Sequence, residues 1–274
     1  AKMSDSLTTI TVAPERDATP IPTELLDVWD SRWGGFIAGE RGNTPAGRVR
    51  VVVFGSCAAG NTILRHFAAR DDVTVVGVAT DELFDRRALI FRRKRLWNDL
   101  TEDQCRRYQL ETEALASEQG VDLFSGEVKT KVFREIFQRW KPDLVVSCVF
   151  GQLIPPWVFE APSLGAYNFH PTDLTKKSGF VGPNPVIPAK AAGLSYIPFT
   201  CHWLDAHFDT GHVVGVGTRT PIVDEHGTLL PMAKLVKAVV PAIKTLISRL
   251  VDAVLAKGSP VLTVDFGSHE ESTQ

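Results

Sequence analysis

The sequence predicts an α/β protein built on a doubly wound, mostly parallel sheet, and three observations point that way. Short continuous apolar runs alternate with segments of helical periodicity, the pattern of strands buried on both faces and of the helices that cover them. The first apolar run ends in a glycine-containing turn, Gly55 to Gly60, placed to lead a strand directly into a helix. The 274 residues are 44% hydrophobic and 23% charged, ordinary values for a globular domain, which exclude a disordered or fibrous chain.

Residues 1–47 are rich in Pro, Thr, Gly and charge and read as an N-terminal arm or leader, with one amphipathic stretch from Glu24 to Trp33. Ala1-Lys2 ahead of Met3 has the look of a tag remnant. The main domain is expected over 48–225 and a helical extension with a tail over 226–274. Arg48 to Phe54, closing at Gly55, predicts the first strand, and Ile63, Leu64 and Phe67 place a helix over Asn61 to Ala69. Val73 to Ala79 is a second buried strand. Glu102 to Gln119 and Lys129 to Trp140 read as helices on either side of a short strand at Val121 to Phe124, and Leu144 to Phe150 as the next strand. Beyond Pro156 the strands shorten, at Ala166 to His170, Ser195 to Leu204 and His212 to Thr218, which suggests a mixed continuation of the sheet. Pro185 to Ala192 makes a short helix, and Leu229 to Leu255 a long helical pattern that Pro241 should kink or break. A polar tail follows Phe266.

The formal net charge of -2 argues against a generally basic, nucleic-acid-coating surface. The four cysteines, Cys57, Cys105, Cys148 and Cys201, form no CxxC pair, so neither a zinc knuckle nor a dense disulfide framework is indicated, and free thiols in a reducing cytosol fit. No apolar run reaches the roughly 18 residues of a membrane helix, and the N-terminus lacks the apolar core of a secretory signal. A cytoplasmic protein without membrane contact is expected.

Gly55-Ser-Cys-Ala-Ala-Gly60-Asn61-Thr62 nearly spells the phosphate loop of nucleotide hydrolases, but Asn61 stands where the lysine is required, and the outer phosphates would lose their main counter-charge. The spacing also misses the dinucleotide fingerprint, although Asp81 lies where a ribose partner would sit. Two readings of the turn remain. The glycines serve a tight strand-to-helix connection, or Gly55 and Ser56 at the helix start receive an anionic group of a substrate.

In Gly165-Ala-Tyr-Asn168-Phe-His170-Pro171, alternation along a strand turns Asn168 and His170 to one face. Pro171 cannot continue the ladder of a central strand, which puts the pair at a carboxyl edge, where open parallel sheets hold ligands. Cys148 and Cys201 read as small buried strand residues rather than nucleophiles. His202, His207 and His212 lack a zinc spacing, and no metal is expected.

Asn168-x-His170-Pro171, followed by Gly182-Pro-Asn-Pro185, Thr200-x-His202 and Asp209-x-Gly211, resembles the folate-dependent formyltransferase family in an ordered series running from about Arg48 to about Leu255. The resemblance implies a Rossmann-like formyltransferase fold, 10-formyltetrahydrofolate as donor and Asn168, His170 and Asp209 as catalytic residues. It further implies a folate pocket lined by Phe150, Gly151, Gln152, Leu153 and Ile154 with Asp205, and an acceptor side that includes Gly55, Ser56, Pro171, Gly182 and Asn184. An amine attacking a formyl carbon creates an oxyanion, which the Asn168 amide or a protonated His170 can stabilise. His170 or Asp209 then accepts the proton that the amine loses, and the residues alone leave that choice open.

The acceptor expected from the sequence is a small-molecule amine, an amino-sugar nucleotide or an amino-acid-derived metabolite. Methionyl-tRNA formyltransferases share the motif order but carry a carboxy-terminal RNA-binding barrel, for which few residues follow the long helix here. tRNA stays an alternative, as does a non-catalytic folate- or nucleotide-binding protein on the same fold. The basic run from Arg86 to Arg95 can grip phosphates or form a solvated surface. Thr172-Asp-Leu-Thr-Lys-Lys departs from the usual continuation after Pro171, and the N-terminal arm can cover the site or mediate a homodimer.

Overall fold

A computed structural model describes residues 34–40, 47–81, 100–176, 180–182 and 184–267. The stretch Glu24 to Trp33 and the basic run Arg86 to Arg95 lie outside the described residues. Eight strands, β1 (Gly34–Ile37), β2 (Val49–Gly55), β3 (Val73–Thr80), β4 (Asp122–Gly126), β5 (Leu144–Cys148), β6 (Ala166–His170), β7 (Tyr196–Trp203) and β8 (Val213–Pro221), form one sheet in the order β1-β4-β3-β2-β5-β6-β7-β8. The five strands from β4 to β6 in that order are mutually parallel, and β1, β7 and β8 run antiparallel to their neighbours. The chain winds outward from β2 through β3 to β4, then returns to the other side of β2 at β5. The strand order reverses between β2 and β5, and the carboxyl ends of those strands open the crevice in which doubly wound proteins bind ligands.

Alternation along β2 explains why its run is apolar without interruption. Val51 and Val53 face one layer, formed by α1 (Cys57–Ala68) and the C-terminal helix α7 (Val240–Lys257), which contribute Ile63, Leu64, Phe67, Ile243, Leu246 and Leu250. Val52 and Phe54 face the other, where α3 (Lys131–Trp140) and the single turn α4 (Pro156–Phe159) bring Phe133, Phe137, Trp140 and Val158. Gly77 leaves the space that the Trp140 ring occupies over β3, and a Cβ there would overlap the indole. The Trp140 Nε1 donates to Asp122 at 2.8 Å, and the other Asp122 oxygen accepts from the Gly39 amide at 2.8 Å. Those bonds fasten the chain after β1 to the sheet edge.

Several boundaries differ from expectation for local reasons. α1 starts at Cys57, not Asn61, because Gly60 sits inside the helix. β5 stops at Cys148, since Val149 has φ +54 and turns the chain out of the sheet. The long C-terminal pattern divides at Val239 into α6 (Met232–Ala238) and α7, with Pro241 in the first turn of α7, where its missing N–H removes no helical bond. β1 and α4 were not anticipated, being four residues each. α2 (Glu102–Glu118) carries a full capping box from Thr101 and Gln104, and α5 (Val186–Ala191) lies in the segment expected to be helical.

Candidate active site

β6 pairs in parallel with β5 and antiparallel with β7, so its last residues stand beside the switch point. Tyr167 and Phe169 point into the α1/α7 layer, which leaves Ala166, Asn168 and His170 on the opposite face. The strand ends at His170, before Pro171. Asn168 is directly opposite His202 of β7, and His170 opposite Thr200, so both motif histidines arrive on one face through register alone.

Asp209 reaches this face from the β7–β8 connection. Its φ of +56 is a left-handed conformation that Asp tolerates better than most residues. The loop is held by Asp205, whose carboxylate accepts from the Thr210 hydroxyl at 2.7 and 2.9 Å and from the His207 amide at 3.0 Å. Gly211 is required because a Cβ there would overlap the Trp203 carbonyl.

The three expected side chains converge. Asp209 Oδ1 lies 3.2 Å from His170 Nδ1 and 3.4 Å from Asn168 Nδ2, and 3.6 Å from Nε2 of His202. Asp209 Oδ2 accepts from the Gly182 amide at 3.0 Å. Burial pushes the Asp209 carboxyl upward, but the hydrogen bond from His170, the His170 charge and the Gly182 amide outweigh it and hold the group well below the usual carboxylate range. Asp209 is therefore a fixed anion.

His170 Nε2 lies 2.7 Å from the Phe180 carbonyl while its Nδ1 faces Asp209. Both nitrogens meet oxygen acceptors, and a doubly protonated ring satisfies both. His202 differs. Its Nδ1 is 2.8 Å from the Trp203 carbonyl, which makes Nδ1 the donor and leaves Nε2 to accept from Asn168 Nδ2 at 3.1 Å in the neutral ring. The Asn168 NH2 is thus turned towards His202 and Asp209, and its Oδ1 is the end directed elsewhere.

The expected folate segment shows a division of labour. Phe150 packs edge-on against Phe54 with ring centroids 5.2 Å apart, Ile154 is core, and the Gln152 amide bridges the Val128 N–H and the Gly126 carbonyl at 3.0 and 2.7 Å. The Gln152 side chain is committed to the protein, as is the Asp205 carboxylate, which organises its own loop. Gly151 donates its amide to Asp81 at 2.6 Å. Backbone N–H groups of Gln152 and Leu153 have no hydrogen-bond partner among the described residues.

At the first turn, Gly55 and Gly60 touch: a Cβ on Gly55 would lie 2.9 Å from the Gly60 Cα, and one on Gly60 2.8 Å from the Gly55 carbonyl carbon. The Ser56 side chain is buried and its hydroxyl donates to the Asp81 carboxylate at 3.0 Å, so any anion at this turn would meet backbone N–H groups and not the serine hydroxyl. Asp81, noted in the sequence at a ribose-partner spacing, is wholly buried and joins Ser56 to Gly151. Asn61 donates to Glu111 at 2.9 Å and accepts from Thr112 at 2.8 Å, so it ties α1 to α2. Pro171 is half-buried beyond β6, Gly182 contributes its amide to Asp209, and Asn184 lines a cavity before α5. His202 is the site residue to which the sequence assigned no role, although its strand pairing with Asn168 follows from the alternation that placed Asn168 and His170.

Burial raises the Cys148 thiol to about 12 and drives Cys201 well above its ordinary value, so neither is a nucleophile. Among the described residues no group of three or more His, Cys, Asp or Glu is placed to hold a metal, and no helix is long and apolar enough to cross a membrane.

An open α/β sheet with a polar cluster at the carboxyl end of a central strand defines a ligand-binding protein of the doubly wound class. The sequence profile described as "Formyl transferase" matches residues 49–239, and the chain belongs to the formyl transferase family. Methionyl-tRNA formyltransferase of Syntrophus aciditrophicus (strain SB) is 33% identical over 98 residues, 36% of this chain and 30% of that protein. The chain therefore matches less than a third of that relative's length. The phosphoribosylglycinamide formyltransferase structure from Anaplasma phagocytophilum is 16% identical with a TM-score of 0.54, covering 82% of this chain and 96% of that one. A formyltetrahydrofolate deformylase structure from Pseudomonas putida KT2440 is 19% identical with a TM-score of 0.53, over 80% and 71% of the two chains. Both share the fold.

Proposed function

We propose that this protein transfers a formyl group from 10-formyltetrahydrofolate to the amine of a small molecule. The observation that carries the reading is the meeting of Asn168, His170 and His202 on one oxygen of Asp209 at the carboxyl end of β6. In the reaction the amine nitrogen bonds to the formyl carbon, the carbonyl electrons move onto oxygen, and the intermediate collapses by breaking the bond to folate N10. The amine loses one proton and N10 gains one.

A proton relay meets that balance. His170, protonated between two oxygen acceptors, supplies positive charge beside the reacting carbon; with Nε2 turned from the Phe180 carbonyl to the substrate it gives that proton to the departing folate N10 and regains one from the ammonium formed by attack. Asp209, held ionised, is a weak base and acts by fixing and charge-compensating the imidazolium. The outward Asn168 Oδ1 accepts an N–H of the incoming amine and aims its lone pair. The expected folate segment supports donor binding through the unpaired amides of Gln152 and Leu153, with Phe150 and Leu153 as its apolar contacts; the Gln152 amide and Asp205 act one step back, by shaping the pocket and the loop.

An amino-sugar nucleotide or an amino-acid-derived metabolite is the proposed acceptor class. Methionyl-tRNA is a second reading, favoured by the sequence similarity to methionyl-tRNA formyltransferases. Incubation with 10-formyltetrahydrofolate and a panel of amines, charged initiator tRNA included, tests both, with acceptor-dependent release of tetrahydrofolate as the expected result. Folate affinity with no turnover on any amine would convert the protein into a binder.

A further inference from the structure

A cavity of about 290 Å3 is walled by Val186 and Ile187 of α5, Leu229 to Met232, Leu235 of α6, and Asn184. That volume is at the lower end of the roughly 300–1,000 Å3 of small-molecule pockets, room for part of a ligand. Its place is informative. Asn184 follows Gly182 by two residues, at most about 7 Å of chain, and the Gly182 amide is the one bound to Asp209. On the far wall, Met232 packs with Cys57, the first residue of α1. The cavity thus lies between the reacting cluster and the first turn.

Its lining side chains are apolar except Asn184, and polar atoms also face the space. Asn184 makes no side-chain hydrogen bond among the described residues, and its Oδ1 is closed off from the open part of the cavity. The approach is apolar too: Val181, beside Gly182, and Phe208, beside Asp209, are exposed large hydrophobic residues, as is Ile187 on the cavity wall. At the first turn, the Asp81 carboxylate is hydrogen-bonded to Ser56, the cap of α1, and its charge opposes a phosphate at that helix start.

We propose that this cavity is the acceptor subsite and that it selects an amine carrying an uncharged aliphatic arm, not a phosphorylated amine. This deepens, and rests on, formyl transfer at Asp209. The amine sits at Asn168, the arm passes Val181 and Phe208, and its apolar part fills the space between α5 and α6. Within the two small-molecule classes above, the amino-acid-derived metabolite is selected over the sugar nucleotide.

The experiment uses the full chain with 10-formyltetrahydrofolate and two probe amines, leucinamide and O-phosphoethanolamine, with turnover and direct binding by titration calorimetry or ligand-observed NMR measured separately. The expected result is kcat/KM at least about tenfold higher for leucinamide, the scale at which a fitted apolar group discriminates. Ile187→Trp, at an exposed wall position, should fill the cavity and raise the leucinamide KM about tenfold or more while the KM for the formyl donor is unchanged. Equal use of both amines, or leucinamide KM and binding unmoved by Ile187→Trp, overturns the subsite. Leucinamide binding that Ile187→Trp abolishes, without formyl release to any acceptor or to water, leaves the subsite standing and overturns the transfer reading; no leucinamide binding overturns the subsite whatever the turnover.

Discussion

Asp209 shows how one side chain can order a site. It is held by His170, Asn168 and the Gly182 backbone amide in a conformation most residues avoid, and the His170 and Gly182 hydrogen bonds favour its ionised state. Asp209→Asn and Asn168→Ala should each lower kcat by roughly a hundredfold or more, the scale of losing a positioned polar group, with circular dichroism unchanged. The linkage has a definite sign. Because the folded pKa is depressed, the stability Asp209 contributes is complete above the unfolded carboxylate's pKa of about 3.9 and is lost as pH falls through the folded value. Denaturant titrations of the protein and of Asp209→Asn should therefore differ by a constant amount at neutral pH, and the difference should shrink below about pH 4. A difference that grew on acidification would contradict the assignment of Asp209 as the held anion. At residue scale the sequence was legible for Asn168, His170 and Asp209, whose types and order resemble a family series. It was silent on the Ser56–Asp81 bond, because a serine at a helix start looks the same whether its hydroxyl faces a ligand or a buried carboxylate.

At the scale of elements, the first turn is a packing device. Gly55 and Gly60 face each other at a separation that leaves no room for a methyl group on either. Gly60→Ala should cost about 1–3 kcal/mol in urea denaturation by overpacking, and a change within a few tenths would show that the turn has slack. The helix that follows is anchored by Asn61 to α2, which explains why an asparagine occupies the position where a phosphate loop carries lysine. Gln152 plays a comparable part between β4 and the segment after β5. Gln152→Ala should lower stability by roughly 1–2 kcal/mol, because it strips partners from the Val128 amide and the Gly126 carbonyl, and a fluorescence titration should show folate affinity falling with it. Apart from the four-residue β1 and α4, helix and strand existence followed from periodicity across the described residues, whereas ends were set by single conformations such as Val149 at φ +54, which no pattern encodes.

For the whole molecule, the sheet brings together segments that are remote in sequence. β1 closes one edge by pairing with β4, and Phe36 enters the aromatic layer with Phe124 and Phe133. Removing residues 1–40 should uncover the β4 edge and lower stability by at least the roughly 1.5–3 kcal/mol of one buried aromatic side chain, seen as a lower thermal midpoint and increased association. An unchanged midpoint would make β1 dispensable. At the opposite end of the chain, α7 supplies Ile243, Leu246, Ile247, Leu250 and Val251 to the main core, so the segment after residue 226 is part of the sheet's cover.

The sequence by itself determined the α/β class, the buried strands, the helical periods and the identities of three polar residues that meet at the site. The class, strands and helical periods are local properties, fixed by the alternation of side chains over a few residues, while the three polar residues were marked by the resemblance to a formyltransferase series. The tertiary structure alone decided which neighbours those residues acquire: His202 beside Asn168 through antiparallel register, Asp81 under Ser56, and Asn184 at an apolar cavity. Such pairings depend on strand order and on where a crossover returns. A hydroxyl, an amide or a carboxylate takes its chemical role from partners brought to it across the fold, and those distances are written in no local stretch of chain.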